Sequence, residues 1–110
     1  MKKHTSLLIA IVLFLGFTVH AQTDKSKRPS PPAEATQTLK SGAVVTISYS
    51  QPSLKGRALG KDIAPFGKVW RTGANEATVF ETTKDLKIGN NTLPAGKYSL
   101  YTIPSEKEWT

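Results

Sequence analysis

An all-β chain, an antiparallel β-sandwich or partly open barrel, is the fold class that this sequence predicts. Three observations carry it. Apolar and polar residues alternate with period two in several short runs, turns rich in glycine, proline and asparagine separate those runs, and outside an N-terminal apolar stretch no window of ten or more residues shows the 3.6 period of a helix.

Lys2, Lys3 and His4 make a basic start, Leu7 to Val19 is a 13-residue run without a charge, and Val19-His20-Ala21 places compact residues where a signal peptidase inspects the chain. A cleavable signal is therefore expected over residues 1–21, with the cut between Ala21 and Gln22 and with export to the periplasm or the outside. The 13-residue run at about 1.5 Å per residue reaches roughly 20 Å, short of the ~30 Å hydrocarbon core, so no stable membrane anchor is expected after processing. The chain has no cysteine that could be acylated. Residues 22–35 hold three prolines and no large apolar side chain, the composition of an extended, solvated linker.

The β-rich domain is expected over residues 36–110. Ala43 to Ser50 places Val45, Ile47 and Tyr49 on one face and Val44, Thr46, Ser48 and Ser50 on the other, a half-buried strand. Thr36 to Lys40 is its expected partner, joined through Ser41-Gly42. Alternation returns over Ala77 to Thr82, where Thr78, Phe80 and Thr82 oppose Val79 and Glu81. Asp85 to Ile88 reads as a short strand closed by Gly89-Asn90-Asn91, residues that tolerate positive φ. Lys97 to Ile103 is a further strand; Pro104 to Glu108 reads as a hairpin turn, and Trp109-Thr110 as the start of a returning strand.

Composition bounds the chemistry. Removing 21 of 110 residues leaves 110 − 21 = 89, with 15 − 2 = 13 Lys and Arg against 8 Asp and Glu, a net charge of +5. Both histidines, His4 and His20, leave with the signal. A mature chain without His or Cys has no imidazole or thiolate metal site, no Cys nucleophile and no Ser-His-Asp relay. It also lacks the disulfides by which small exported domains offset chain entropy, so packing alone must stabilise it.

The least regular stretch runs from Gln51 to Glu76, 26 residues in which Lys55, Arg57, Lys61, Lys68 and Arg71 face only Asp62 and Glu76 in charge. Connections of that length usually hide a strand or carry function, and Gly67 to Thr72 has the pattern of a strand. Gly56 to Lys61 is not a phosphate-binding loop. Three residues separate Gly56 from Gly60 where four are needed, and Asp62 stands where a Ser or Thr would hold magnesium.

Three stretches together resemble the exported bacterial family known as domain of unknown function 2911: Ser41 to Arg57, Pro65 to Thr78 with its Phe66-Gly67-Lys68-Val69-Trp70-Arg71-Thr72-Gly73-Ala74-Asn75-Glu76 core, and Leu93 to Pro104 with Pro94-Ala95-Gly96-Lys97-Tyr98. The resemblance runs from about Arg28 to Thr110. It implies export, a β-rich domain, and a motif typical of the family around Trp70 to Glu76. It also implies that family members extend past the Glu-Trp-Thr at the end of this sequence, so that an N-terminal fragment is expected. Such a piece is expected to expose an unpaired apolar edge and to be marginally stable or self-associating.

The residues of that motif have a chemistry of their own. Trp70 offers a stacking face, Arg71 a fixed fork of donors, Thr72 and Asn75 neutral donors and acceptors, Glu76 an acceptor, and Gly73 a place for the backbone to turn. Trp70, Arg71, Thr72, Asn75 and Glu76 are thus the candidate ligand contacts, suited to a small polar or glycan ligand in a ligand-binding or cell-envelope interaction module. The same residues equally fit a structural β-domain without its own ligand, with Trp70 in the core, Arg71 and Glu76 paired with each other or capping loose carbonyls, and Asn75 with Gly73 turning the chain.

Enzymatic roles find little support. A glycosidase needs two carboxyl groups roughly 5 to 9.5 Å apart, whereas Glu76 and Glu81 on one strand would stand ~16 Å apart on opposite faces. Only a partner such as Asp62 or Asp85 across strands leaves a hydrolase open. No Asp-x-Asp spacing suggests calcium, no cofactor is implied, and the basic residues are too dispersed for a nucleic-acid footprint despite a pI near 9.8. Asn90-Asn91-Thr92 matches a glycosylation sequon but reads as a turn.

Overall fold

The computed structural model describes residues 24–110. The expected signal segment and its cleavage point at Ala21 and Gln22 lie outside the described residues. The described chain is all-β and antiparallel, with strands β1 (Pro32–Thr38), β2 (Val44–Ser50), β3 (Thr78–Thr82), β4 (Leu86–Ile88), β5 (Asn91–Leu93) and β6 (Gly96–Leu100). Strands β1, β2, β3 and β6 form an open four-stranded sheet in the order β1-β2-β3-β6, and β4 and β5 form a separate hairpin inserted between β3 and β6. Among the described residues no helix is long and apolar enough to cross a membrane.

Register puts the alternation to use. Ala35, Ile47, Phe80 and Tyr98 stand in one row across the sheet, flanked on the same face by a row of Gln37, Val45, Thr82 and Gly96. The opposite face carries Thr36, Thr46, Glu81 and Lys97 in one row and Glu34, Ser48, Val79 and Ser99 in the next. Cross-strand polar pairs match these rows: Lys97 Nζ lies 3.6 Å from Glu81 Oε2, and Ser48 Oγ donates to Glu34 Oε2 at 3.2 Å. The apolar face is only half covered. Val45, Ile47, Phe80, Tyr98 and Leu100 are half-buried, and the buried apolar residues are Ala43, Ala64 and Pro104.

The strand read over Lys97 to Ile103 is Gly96–Leu100, ending where the chain leaves β3 for the bridge at Thr102, and two further readings change. The first strand spans Pro32–Thr38 instead of Thr36 to Lys40, so its opening residues come from the stretch read as linker. Proline is compatible with this position because β1 is an edge strand and Pro32 is its first residue. The β1-β2 turn closes on Gly42, whose φ of 84° suits glycine, with Leu39 N–H bonded to Ala43 O at 2.8 Å. Second, Gly89-Asn90 joins two strands rather than ending one. Positive φ at Gly89 but not at Asn90 is the pattern of a type II′ loop, and Ala95 N–H donates to Asp85 Oδ1 at 2.8 Å to close the base of the β4-β5 hairpin.

Candidate functional site

The long connection between β2 and β3 is built from local turns. Lys55 and Gly56 both have positive φ, and Arg57 N–H closes the turn on Leu54 O at 2.9 Å. The Arg57 guanidinium folds back over it, Nε donating to Leu54 O at 3.1 Å and Nη2 to Ser53 O at 2.8 Å, which leaves Nη1 uncommitted. Asp62 organises the next turn, its Oδ2 accepting from Ala58 N–H at 2.9 Å. Gly60, with φ 87°, has the Phe66 ring packed where a Cβ would stand. A side chain there would displace the ring.

The expected strand over Gly67 to Thr72 is reduced to a single antiparallel bridge between Trp70 and Thr102, bonded in both directions at 2.7 and 2.9 Å. Beyond Leu100 the chain continues through this bridge. On its other side Ile103 and Thr110 exchange two backbone hydrogen bonds, 2.7 and 3.0 Å, so the turn read over Pro104 to Glu108 does bring Trp109-Thr110 back. That return brings the Trp109 ring edge-on to Trp70, with centroids 5.9 Å apart and planes at 80°. Trp70 is therefore half-buried against another aromatic rather than sunk in the core.

From Trp70 onward the backbone is fixed on several sides. Arg71 O accepts from Thr78 N–H at 3.1 Å, Thr72 O from Thr78 Oγ1 at 2.7 Å, and the Thr72 and Thr102 hydroxyls meet at 2.9 Å. Ala74 N–H reaches Ser50 O at 3.2 Å, and a Cβ on Gly73 would come within 2.9 Å of Thr78 Oγ1. These bonds hold Thr72 at φ 61° and Asn75 at φ 59°, while Ala64 nearby sits at φ 49°. Left-handed backbone is uncommon for any residue with a Cβ and a genuine outlier for a β-branched one, and it is retained only where surroundings over-determine it.

The loops border a half-open cavity of about 350 Å³ whose walls include Arg57, Asp62, Trp70, Arg71 and Asn75. Arg71 is exposed and forms no ion pair among the described residues. The expected pairing of Arg71 with Glu76 does not occur. Glu76 turns to the N-terminal segment instead, where Arg28 Nη1 lies 2.8 and 2.9 Å from its two carboxylate oxygens and Lys25 Nζ lies 3.8 Å away. These hydrogen bonds from Arg28, then one from the Glu76 backbone, hold the Glu76 carboxyl below its ordinary value against an opposing desolvation, with the charges of Arg28 and Lys25 adding less. Asn75 Nδ2 also reaches the same segment, donating to Ser30 O at 3.1 Å.

Of the five residues singled out by sequence, Trp70, Arg71 and Asn75 thus share the cavity, Thr72 stays outside its wall bonded to Thr102 and Thr78, and Glu76 belongs elsewhere. Glu76 lines a second, larger cavity of about 470 Å³ together with Lys25, Glu34 and Ser48. There Glu76 is held by Arg28 and, at 3.8 Å, by Lys25, and Glu34 accepts a hydroxyl hydrogen bond from Ser48. Sequence reasoning missed Arg57 and Asp62 as members of the first cavity. The available signal was the Lys55-Gly56 turn, which folds Arg57 back toward the chain. Among the described residues no three or more His, Cys, Asp or Glu side chains cluster to hold a metal ion.

The molecule so described is an open antiparallel all-β domain with one charged, loop-built cavity. A family model for proteins of unknown function (DUF2911) matches residues 30–110, and the chain belongs to that family. No curated protein and no solved structure matches it.

Proposed function

We propose that this chain is a ligand-binding or cell-envelope interaction module of an exported protein, and that its ligand, a small polar molecule or glycan unit, seats in the cavity walled by Trp70, Arg71 and Asn75. One observation carries the reading: the Arg71 carbonyl is held by Thr78 N–H and its neighbours Trp70 and Thr72 are bonded to Thr102 and Thr78, while its guanidinium is left exposed with no ion pair among the described residues. A fixed base under a free fork of donors is a preorganised contact. Left-handed backbone at Ala64 and Asn75, both in the cavity wall, supports it, because such strain gathers at ligand clamps. Export rests on the basic start and the apolar run from Leu7 to Val19, and it places the ligand in the periplasm or outside the cell.

A purely structural domain is the competing reading, favoured by Arg57, which caps two loop carbonyls. Replacing Arg71 by Ala separates the two. A binding residue that is exposed and unpaired should leave thermal stability within about 0.5 kcal/mol of the unmodified chain while abolishing capture on a panel of envelope glycans. Loss of several kcal/mol with glycan capture unchanged would show that Arg71 is structural.

A further inference from the structure

We infer that the ligand of the 350 Å³ cavity carries a carboxylate, received by Arg71 with Arg57 beside it, so that the ligand class is an acidic sugar: a single pyranose unit bearing one carboxylate. This rests on the binding reading above and narrows it. The walls hold two guanidinium groups and one carboxylate, and that carboxylate, Asp62, is occupied by the Ala58 amide. Arg57 is oriented by two carbonyls and keeps Nη1 for a ligand. Arg71 keeps its whole fork, which matches the two oxygens of a carboxylate.

The charge count favours a monoanion. Two Arg less one Asp leaves one uncompensated positive charge in the walls, which a carboxylate neutralises and a phosphate of charge near −2 would exceed. Lys55, Lys61 and Lys68 in the same connection add a positive field that draws anions in. The remaining groups suit a sugar ring: Trp70 gives an aromatic wall, and Asn75 and Ser30 give polar edges. The volume lies at the lower end of the ~300–1,000 Å³ range for ligand cavities and fits one ring rather than a chain.

The test measures dissociation constants of the full chain for glucuronic acid, N-acetylmuramic acid, glucose and inorganic phosphate, by tryptophan fluorescence and by backbone-amide shifts. At least one of the two acids should bind about tenfold or more tighter than glucose, as charge-assisted hydrogen bonds require, and which acid binds better identifies a uronate or a muramate source. Arg71→Gln should erase the preference for the acid, bringing the dissociation constants for acid and glucose together; Arg71→Lys should restore the preference in part. Lys87→Gln, on the hairpin away from the cavity, should change nothing. Equal binding of acids and glucose would overturn the carboxylate assignment and leave the binding reading standing. Phosphate binding tighter than either acid would overturn it in favour of a more highly charged anion. An unmodified chain that binds none of the sugars would overturn both readings.

Discussion

The four-stranded sheet and the connection from Gln51 to Ala77 are held together by different means. In the sheet each residue repeats what its neighbour two positions away does, and cohesion comes from rows such as Ala35, Ile47, Phe80 and Tyr98. In the connection almost nothing repeats. Its shape comes from single backbone hydrogen bonds, folded-back side chains such as Arg57 and Asp62, and residues placed at positive φ. Area is what a mutation removes from the sheet; conformation is what it disturbs in the loop. The free charge of the molecule also follows this division, since Glu81 and Lys97 answer each other on the sheet while Arg71 answers nothing in the loop.

The largest effect expected from this contrast is in the sheet. Phe80→Ala, at the centre of the apolar row, should cost about 2 to 3 kcal/mol, below the range for a fully buried Phe because the ring is half-buried. Urea unfolding measures it, and a cost near zero would mean that the row contributes nothing.

A matched pair of glycine substitutions sharpens the comparison. Ala35→Gly on β1 should destabilise by about 0.5 to 1 kcal/mol, as glycine does in a strand interior. Ala64→Gly should stay within about 0.5 kcal/mol of the unmodified chain, because relief of the left-handed backbone at φ 49° offsets the lost methyl. Equal costs at the two positions would remove the claim that the loop is governed by conformation.

The smallest expected effect concerns the tie between the N-terminal segment and the loop. Glu76 is held below its ordinary value by Arg28. A carboxyl whose folded value is depressed contributes stability that is complete above its unfolded value, near 4.3, and is lost as pH falls through the folded one. The Arg28–Glu76 contact, followed by the NMR signal of the Arg28 guanidinium, should therefore be lost below about pH 4. Glu76→Gln should show the lost contact already at neutral pH and little further change in acid.

The sheet was legible from alternation alone: Val45, Ile47 and Tyr49 share a face in the sequence pattern and in the register. The early start of β1 was not, because Pro32 reads as a linker residue unless the strand is known to lie on an edge. Strand β5 has three residues, too few for any period to show. The site was half legible. Trp70, Arg71 and Asn75 stand close in sequence and share a cavity, but the partner of Glu76 is 48 residues away at Arg28, and no local pattern predicts a contact at that distance. Arg57 and Asp62 enter the site through turns whose geometry depends on which backbone groups are left to bond.

The claim that ligand recognition belongs to the irregular connection and not to the sheet is tested most directly by mapping backbone-amide shifts of the full chain during titration with glucuronic acid. The account predicts perturbations confined to Arg57, Asp62 and the Trp70 to Asn75 segment, with β2, β3 and β6 unmoved. Shifts centred on Ile47, Phe80 and Tyr98 would place recognition on the half-covered apolar face of the sheet and contradict it.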